Sequence, residues 1–136
     1  IAAVEEGGIE SLADAVLERW FTRDFHQRRK ADLAGYRNML VRQDRAGYAA
    51  TCGAIRDADF TASTATIKVP ALVVVGDQDG ATPPELVLSM ARLIPSARYE
   101  VIAGAGHIPC VEQPEALTAV IEAFLSPLVS GDIPHG

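Results

Sequence analysis

The stretch ALVVVGDQDGATPP (residues 71–84) joins an apolar run to a polar turn and then to two prolines. The β-branched run in it, residues 71–75, is typical of a strand that is buried on both faces of a parallel sheet. Thr82, followed by two prolines and then by Glu85, predicts a capping box at the start of a helix. The stretch therefore predicts a strand, a turn with two acids and a helix, which is the repeating unit of an α/β protein.

A second unit of the same kind follows. Apolar residues at helical spacing over residues 86–94 predict a helix that ends at Pro95, and residues 98–103 predict a second strand. Gly-Ala-Gly-His (residues 104–107) comes next, and Gln113-Pro114 opens a last helix. Ligands in open parallel sheets bind beyond the carboxyl ends of the strands, so the acids after the first strand and the histidine after the second are expected to meet there.

The front of the chain has a different period. From residue 9 to about residue 59 the apolar residues recur at helical spacing, with Ser11 as the expected N-cap of the first helix and Asp44 near the start of the third. Residues 61–66 are small, polar and without a pattern, which places a boundary there. We therefore predict a helical cap region over 1–61, an α/β core segment over 62–126 and a loose tail over 127–136.

Asp77, Asp79 and His107 are the candidate catalytic residues. A buried carboxylate that accepts the Nδ1 proton of an imidazole fixes its tautomer and stabilises the imidazolium that forms during acyl transfer. The other ring nitrogen is then free to take a proton from a hydroxyl nucleophile. Cys110 lies close to His107 in the sequence, but its apolar neighbours disfavour a thiolate and hence a Cys–His pair.

These motifs resemble the α/β-hydrolase family, in which the nucleophile, the acid and the histidine follow one another along the chain. The matching motifs are Gly76-x-x-Asp79, Thr82-Pro83, Gly106-His107 and the Glu-Gln-Pro-Glu helix start at 112–115. The resemblance makes Asp79 the triad acid and His107 the general base, and the Gly-x-x-Asp spacing selects Asp79 over its competitor Asp77. It implies an α/β fold class, namely the C-terminal portion of an α/β-hydrolase fold, with two parallel strands and crossover helices preceded by a helical cap.

The front region of the chain resembles one subfamily of these hydrolases in particular. Residues 18–25 and 48–55 are similar to the cap of 3-oxoadipate enol-lactonases, as is the stretch from Asp79 to Pro84. That resemblance implies hydrolysis of an enol-lactone to 3-oxoadipate in aromatic catabolism, by a Ser-His-Asp mechanism with no metal and no organic cofactor. Trp20 lies in the cap and is the candidate substrate-binding residue, with a role as a core anchor as its alternative.

The sequence lacks the Gly-x-Ser-x-Gly frame of the family, because no serine in it has both glycines. We therefore expect the nucleophile to lie outside this chain, in an N-terminal half that is missing or is a separate chain, and we expect the chain alone to be inactive. Two strands that are apolar on both faces also need more sheet beside them. The alternatives are another hydrolase of this fold (an esterase, a cofactor-free haloperoxidase or a dehalogenase) or a non-catalytic binding module that keeps the fold.

Composition limits the partners. A net charge of −6 gives no general attraction to nucleic acid or to an anionic membrane, and the longest apolar run is too short to span a bilayer. Cys52 and Cys110 match no metal-ligand spacing and are expected to be free thiols, consistent with a reducing cytoplasm. The expected partners are a small-molecule lactone or ester and the N-terminal half of the hydrolase, with no nucleic acid and no membrane.

Overall fold

The computed structural model of the protein describes residues 1–130. Helices form the front of the chain: α1 (Ala2–Gly7), α2 (Glu10–Trp20), α3 (Arg23–Arg28), α4 (Lys30–Val41), α5 (Arg45–Asp57) and α6 (Thr61–Thr64). Strands and helices then alternate: β1 (Ala71–Gly76), α7 (Pro84–Ala91), β2 (Ala97–Ile102), α8 (Pro109–Glu112) and α9 (Pro114–Ser130). The predicted α/β class, with helices before the strands, is confirmed.

The two strands form one parallel sheet, in which Ala71 lies opposite Ala97 and Gly76 opposite Ile102. One face of this sheet packs on α7 through a buried cluster of Val73, Ala91 and Ile94. Side chains alternate between the faces of a strand, so Leu72 and Val74 point to the other face, and both are only half-buried. The expected burial of both sheet faces is therefore wrong for this chain by itself, while the parallel pairing with a crossover helix is confirmed.

The helical front has a core of its own that extends toward the α/β segment. One buried cluster joins α1, α2 and α4 and consists of Val4, Ile9, Ala13, Val16 and Leu40. A second consists of Leu17, Phe21 and Phe25, and Ile108 and Val111 pack against it. Because residues 108 and 111 lie within four positions of His107, the front helices support the part of the chain that carries the histidine.

The start of the chain differs from the prediction. Residues 2–7 form α1, and Ser11 is not an N-cap, because the N-cap of α2 is Ile9, which has helical backbone angles. The carbonyls of Gly8 and Ile9 accept the amides of Ser11 and Leu12, so backbone acceptors satisfy these two amides in place of a side-chain cap. The Ser11 hydroxyl instead donates to the carbonyl of Gly8 at 2.7 Å.

The predicted capping box at Thr82 is also wrong. Helix α7 begins at Pro84 with Pro83 as its N-cap, and no side chain caps it. The Thr82 hydroxyl donates to the Asp79 carboxylate instead, since that acceptor lies at 2.8 Å. The helix ends at Ala91, before Pro95, and a turn leads into β2.

The boundary segment at residues 61–66 and the predicted tail at 127–136 are both partly helical. Residues 61–64 form the single turn α6, and α9 continues through Pro127 to Ser130, so residues 127–130 are not a loose tail. A proline inside a helix removes one backbone hydrogen bond and crowds the carbonyl four residues earlier, and α9 nevertheless continues for three residues beyond Pro127. Residues 131–136 of the predicted tail lie outside the described residues, and the boundaries at 61/62 and 126/127 stay predictions. Within residues 1–130, no helix combines the length and the apolar character that crossing a membrane requires.

Candidate active site

Asp79 and His107 meet beyond the carboxyl ends of the two strands. Asp79 lies in the acid loop (residues 77–83) after β1, and His107 lies in the histidine loop (residues 103–108) after β2. Nδ1 of His107 is 2.9 Å from Oδ2 of Asp79, and the exposed fractions of the two side chains are 36% and 4%. An ionised carboxylate only accepts hydrogen bonds, so Nδ1 carries the proton and Nε2 is left available.

The acid loop wraps around the Asp79 carboxylate. Oδ1 accepts the backbone amides of Ala81 and Thr82, each at 2.8 Å, and Oδ2 accepts the Thr82 hydroxyl at 2.8 Å. Burial acts to raise the pKa of Asp79, but the hydrogen bonds from His107, the two amides and the hydroxyl outweigh it and lower the pKa below its ordinary value. The carboxylate is therefore held ionised and fixed in direction.

Asp77 binds the backbone of the histidine loop and not the imidazole. It is exposed, and its Oδ1 atom accepts the amides of Gly104 at 2.8 Å and Ala105 at 3.2 Å. Gly104 has a φ of 70°, in the left-handed region that favours glycine. Of the two acids that the sequence offers, the structure brings Asp79 to the imidazole, while Asp77 braces the turn that leads to it.

The end of α2 is bound to both loops. The carbonyl of Trp20 accepts the backbone amide of His107 at 2.8 Å, and the carbonyl of Arg19 accepts that of Gly80 at 3.1 Å. The last carbonyls of a helix have no hydrogen-bond partner within it, so these two bonds give the carbonyls of Arg19 and Trp20 the partners that they would otherwise lack. A side chain on Gly106 would collide with the Trp20 carbonyl, since its Cβ would lie 2.5 Å from that oxygen.

Trp20 lies beside the imidazole and also lines a cavity. Its ring is stacked near that of His107 with 6.2 Å between the ring centroids. A cavity of about 520 Å³ opens next to it, lined by the turn before α5 and by residues of α5 that include Tyr48, Thr51 and Cys52. Burial raises the pKa of the Tyr48 hydroxyl, and neighbouring Cys52 adds to the shift while Arg19 opposes it. The cavity wall therefore presents a neutral phenol together with apolar surface.

Three residues that hold the site were not identified from the sequence. The two prolines and Glu85 after Thr82 predict a helix cap, whereas its place in the Asp-x-x-Thr motif indicates a bond to the acid. Thr22 and Glu112 bind each other, and Glu112 also binds the histidine loop. Both residues lie in stretches that carry the resemblance, 18–25 and 112–115, but the sequence assigns neither of them a role. Cys52 and Cys110 are free thiols, as predicted. Within residues 1–130 no group of three or more potential metal ligands comes together.

Comparisons with known proteins identify the family of this chain. A model of the alpha/beta hydrolase fold matches residues 13–114. 3-Oxoadipate enol-lactonase 2 of Acinetobacter baylyi is 31% identical over 122 residues, which are 90% of this chain and 45% of the relative. 3-Oxoadipate enol-lactonase 1 of the same organism is 29% identical over 123 residues, which are 90% of this chain and 46% of that relative.

Solved structures give the same result. The enol-lactonase from Burkholderia xenovorans LB400 superposes with a TM-score of 0.87 at 40% identity, covering 92% of this chain and 48% of that one. A thermophilic esterase from Thermogutta terrifontis superposes with a TM-score of 0.82 at 31% identity, covering 92% and 46%. The chain thus spans about half the length of the relatives that it matches. With its fold, its acid and histidine loops and the extent of the family match in agreement, the chain belongs to the α/β-hydrolase family.

Proposed function

We propose that this chain supplies the acid and the base of a Ser-His-Asp hydrolase that cleaves a carboxylic ester or lactone, with 3-oxoadipate enol-lactone as its substrate. The observation that carries the proposal is the 2.9 Å bond between Nδ1 of His107 and the buried carboxylate of Asp79. Because this bond occupies Nδ1 and the described residues make no hydrogen bond to Nε2, we infer that Nε2 of His107 serves a nucleophile outside this chain.

The proposed roles follow from the protonation states. Nε2 of His107 takes the proton of a serine hydroxyl as the serine oxygen attacks the lactone carbonyl, and the ionised Asp79 stabilises the resulting imidazolium. The imidazolium then gives its proton to the leaving enol oxygen. A water molecule, deprotonated by the same Nε2, then attacks the acyl carbonyl, and the imidazolium returns the proton to the serine oxygen as the acid product leaves, so no metal and no organic cofactor is required.

The choice of substrate rests on similarity and on the cavity beside Trp20. Two relatives are named as 3-oxoadipate enol-lactonases, and the solved structure at 40% identity is named as an enol-lactonase. The cavity begins at Trp20, whose ring also lies beside the imidazole, so Trp20 connects the cavity to the base. We assign Trp20 to substrate binding on this ground.

The N-terminal half is proposed to cover apolar surface that this chain leaves open. Each strand has one unpaired edge in the two-stranded sheet, and large apolar side chains are exposed on α7, β2 and α9, namely Leu86, Val101, Ile121 and Leu125. Further parallel strands beside this sheet would bury such side chains and bring a nucleophile to the same edge. We place the assembled enzyme in the cytoplasm, where free thiols such as Cys52 and Cys110 persist.

A chimera tests the proposal. In it, this chain replaces the matched 48% of the enol-lactonase from Burkholderia xenovorans LB400, and turnover of 3-oxoadipate enol-lactone is measured. We expect lactonase turnover in the chimera, a loss of about 10⁴-fold in kcat for Asp79→Asn and about 10⁶-fold for His107→Ala. Glu122→Gln, an exposed change on α9, is the control and should leave kcat unchanged. Folded chimeras in which Asp79→Asn and His107→Ala retain the parent's turnover would contradict the proposal.

A second substrate class is included in the assay because of one comparison. The Thermogutta terrifontis structure, at 31% identity, is named as an esterase, so a simple aryl acetate is assayed beside the lactone. A chimera that hydrolyses the aryl ester but not the lactone would favour an esterase over an enol-lactonase and would leave the roles of Asp79 and His107 unchanged. The isolated 136-residue chain is expected to hydrolyse neither.

A further inference from the structure

A third carboxylate, that of Glu112, binds the histidine loop at the residue before His107. Its Oε2 atom accepts the backbone amide of Gly106 at 2.7 Å. Its Oε1 atom accepts both the backbone amide and the hydroxyl of Thr22, at 3.0 Å and 2.6 Å. One oxygen of the side chain is thus committed to the histidine loop and the other to the front helices.

The partner on the front helices is itself fixed. Thr22 is 5% exposed and is the N-cap of α3, where its hydroxyl oxygen accepts the amide of Phe25 at 3.2 Å. Phe25 belongs to the buried cluster that Ile108 and Val111 also contact. The Thr22 hydroxyl therefore donates its proton to Glu112 and accepts from α3 at the same time, so Glu112 is anchored to the packed core of the front region.

The chemistry of the contact requires a carboxylate. Three donors converge on the side chain of Glu112, and an ionised carboxyl group offers acceptors on both of its oxygens. A carboxamide has one acceptor oxygen and one NH₂ group, so in Gln the NH₂ group would face the amide of either Gly106 or Thr22. Hydrogen bonds to a charged acceptor are also stronger than neutral ones, so the exchange weakens the bonds that remain.

We propose that Glu112 is a positioning residue for His107, which ties the backbone of the histidine loop to Thr22 and so sets where the imidazole stands against Asp79. Two bonds then hold this short segment to the end of α2 and the start of α3, one through Glu112 and one from the His107 amide to the Trp20 carbonyl. Loss of the Glu112 bond removes one of these two connections. The kinetic part of the inference rests on the proposed function, and the spectroscopic part does not.

The first test uses this chain and the NMR signals of its imidazole. Glu112→Gln is expected to lower the share of His107 in the Nδ1–H tautomer and to quicken hydrogen exchange at the Gly106 amide relative to that at Val73. Glu122→Gln, the same chemical change at an exposed position on α9, is expected to alter neither. A role in stability alone would leave the tautomer of the folded chain unchanged. A folded Glu112→Gln chain with the parent's tautomer share would overturn the inference.

Two variants of Thr22 test the same inference if Glu112→Gln does not fold. Thr22→Ser keeps the hydroxyl that donates to Glu112, and Thr22→Val removes it at nearly the same volume. We expect Thr22→Val to lower the Nδ1–H share of His107 and Thr22→Ser to retain it. Equal shares in the two variants would overturn the inference.

The kinetic test uses the chimera described above. Glu112→Gln should lower kcat by about 10- to 100-fold, because small displacements of a reacting group cost that much, while KM changes by no more than about twofold. A chimera without lactone or ester turnover would argue against the proposed function, and the tautomer share would still decide the role of Glu112. A Glu112→Gln chimera with the kcat of the Glu122→Gln control would overturn the positioning role.

Discussion

The backbone amide of His107 donates to the carbonyl of Trp20 at 2.8 Å, so the last turn of α2 is bound directly to the loop that carries the histidine. Gly80 of the acid loop makes the equivalent bond to the carbonyl of Arg19. One helix end thus binds both loops of the candidate site. The front helices therefore help to hold the two loops of the candidate site in place.

The first prediction concerns the close approach at Gly106. In Gly106→Ala the new Cβ would lie 2.5 Å from the Trp20 carbonyl oxygen and 2.9 Å from Oε2 of Glu112. We expect the free energy of unfolding to fall by about 1–3 kcal/mol, as in other overpacked sites. Gly35→Ala in α4 is the control, since no atom lies within 4 Å of its Cβ, and it should stabilise the chain by about 0.5–1 kcal/mol. Urea denaturation measures both, and equal effects at the two glycines would contradict the account.

The second prediction concerns the Thr82 hydroxyl. It donates to Oδ2 of Asp79 at 2.8 Å, which is one of the bonds that lower the pKa of that carboxyl. Thr82→Val removes the donor at similar volume, so the pKa of Asp79 should rise and stability should fall by about 1 kcal/mol. Thr82→Ser keeps the donor and should behave as the parent does. Titration of the Asp79 carboxyl carbon by NMR decides the matter, and a pKa that stays the same in Thr82→Val would refute the assigned bond.

The third prediction is a pH dependence of stability. The pKa of Asp79 is lower in the folded chain than in the unfolded chain, so its ionisation stabilises the fold. This contribution is fully present above the ordinary carboxyl pKa of about 3.9 and is lost as the pH falls through the lowered value. Asp79→Asn lacks the contribution, so the difference in unfolding free energy between parent and variant should shrink below about pH 3.9. A difference that grows as the pH falls in that range would show the sign to be wrong.

The sequence predicts most of the fold because its signals there are local. The β-branched run of β1, the Gly-x-x-Asp turn after it and the Gly-His motif after β2 each depend on a few neighbouring residues, and each lies where it was expected. The wrong capping box at Thr82 arises from competition between two local partners for one hydroxyl. Thr82 has the form of a helix cap, but a carboxylate three residues earlier takes its hydroxyl.

Long-range contacts account for the rest. Nothing near Thr22 in the sequence indicates that its hydroxyl binds Glu112, and nothing near Trp20 indicates that its carbonyl accepts the amide of His107. Such bonds depend on how the front helices pack on residues 108 and 111, which no periodicity predicts. Helix α9 has the apolar positions of a buried helix, yet none of its residues is buried within the described chain. Its burial also depends on long-range partners, which periodicity does not reveal.

The tautomer of His107 tests the central claim most directly. Nitrogen-15 NMR of the ring, on this chain in the pH range where the imidazole is neutral, distinguishes a protonated Nδ1 from a protonated Nε2. We predict that Nδ1 carries the proton, that Asp79→Asn abolishes this preference and that Asp77→Asn, which alters the acid two residues earlier, retains it. A proton on Nε2 in the parent, or the same tautomer share in Asp79→Asn as in the parent, would contradict the assignment of Asp79 and His107 as the acid–base pair.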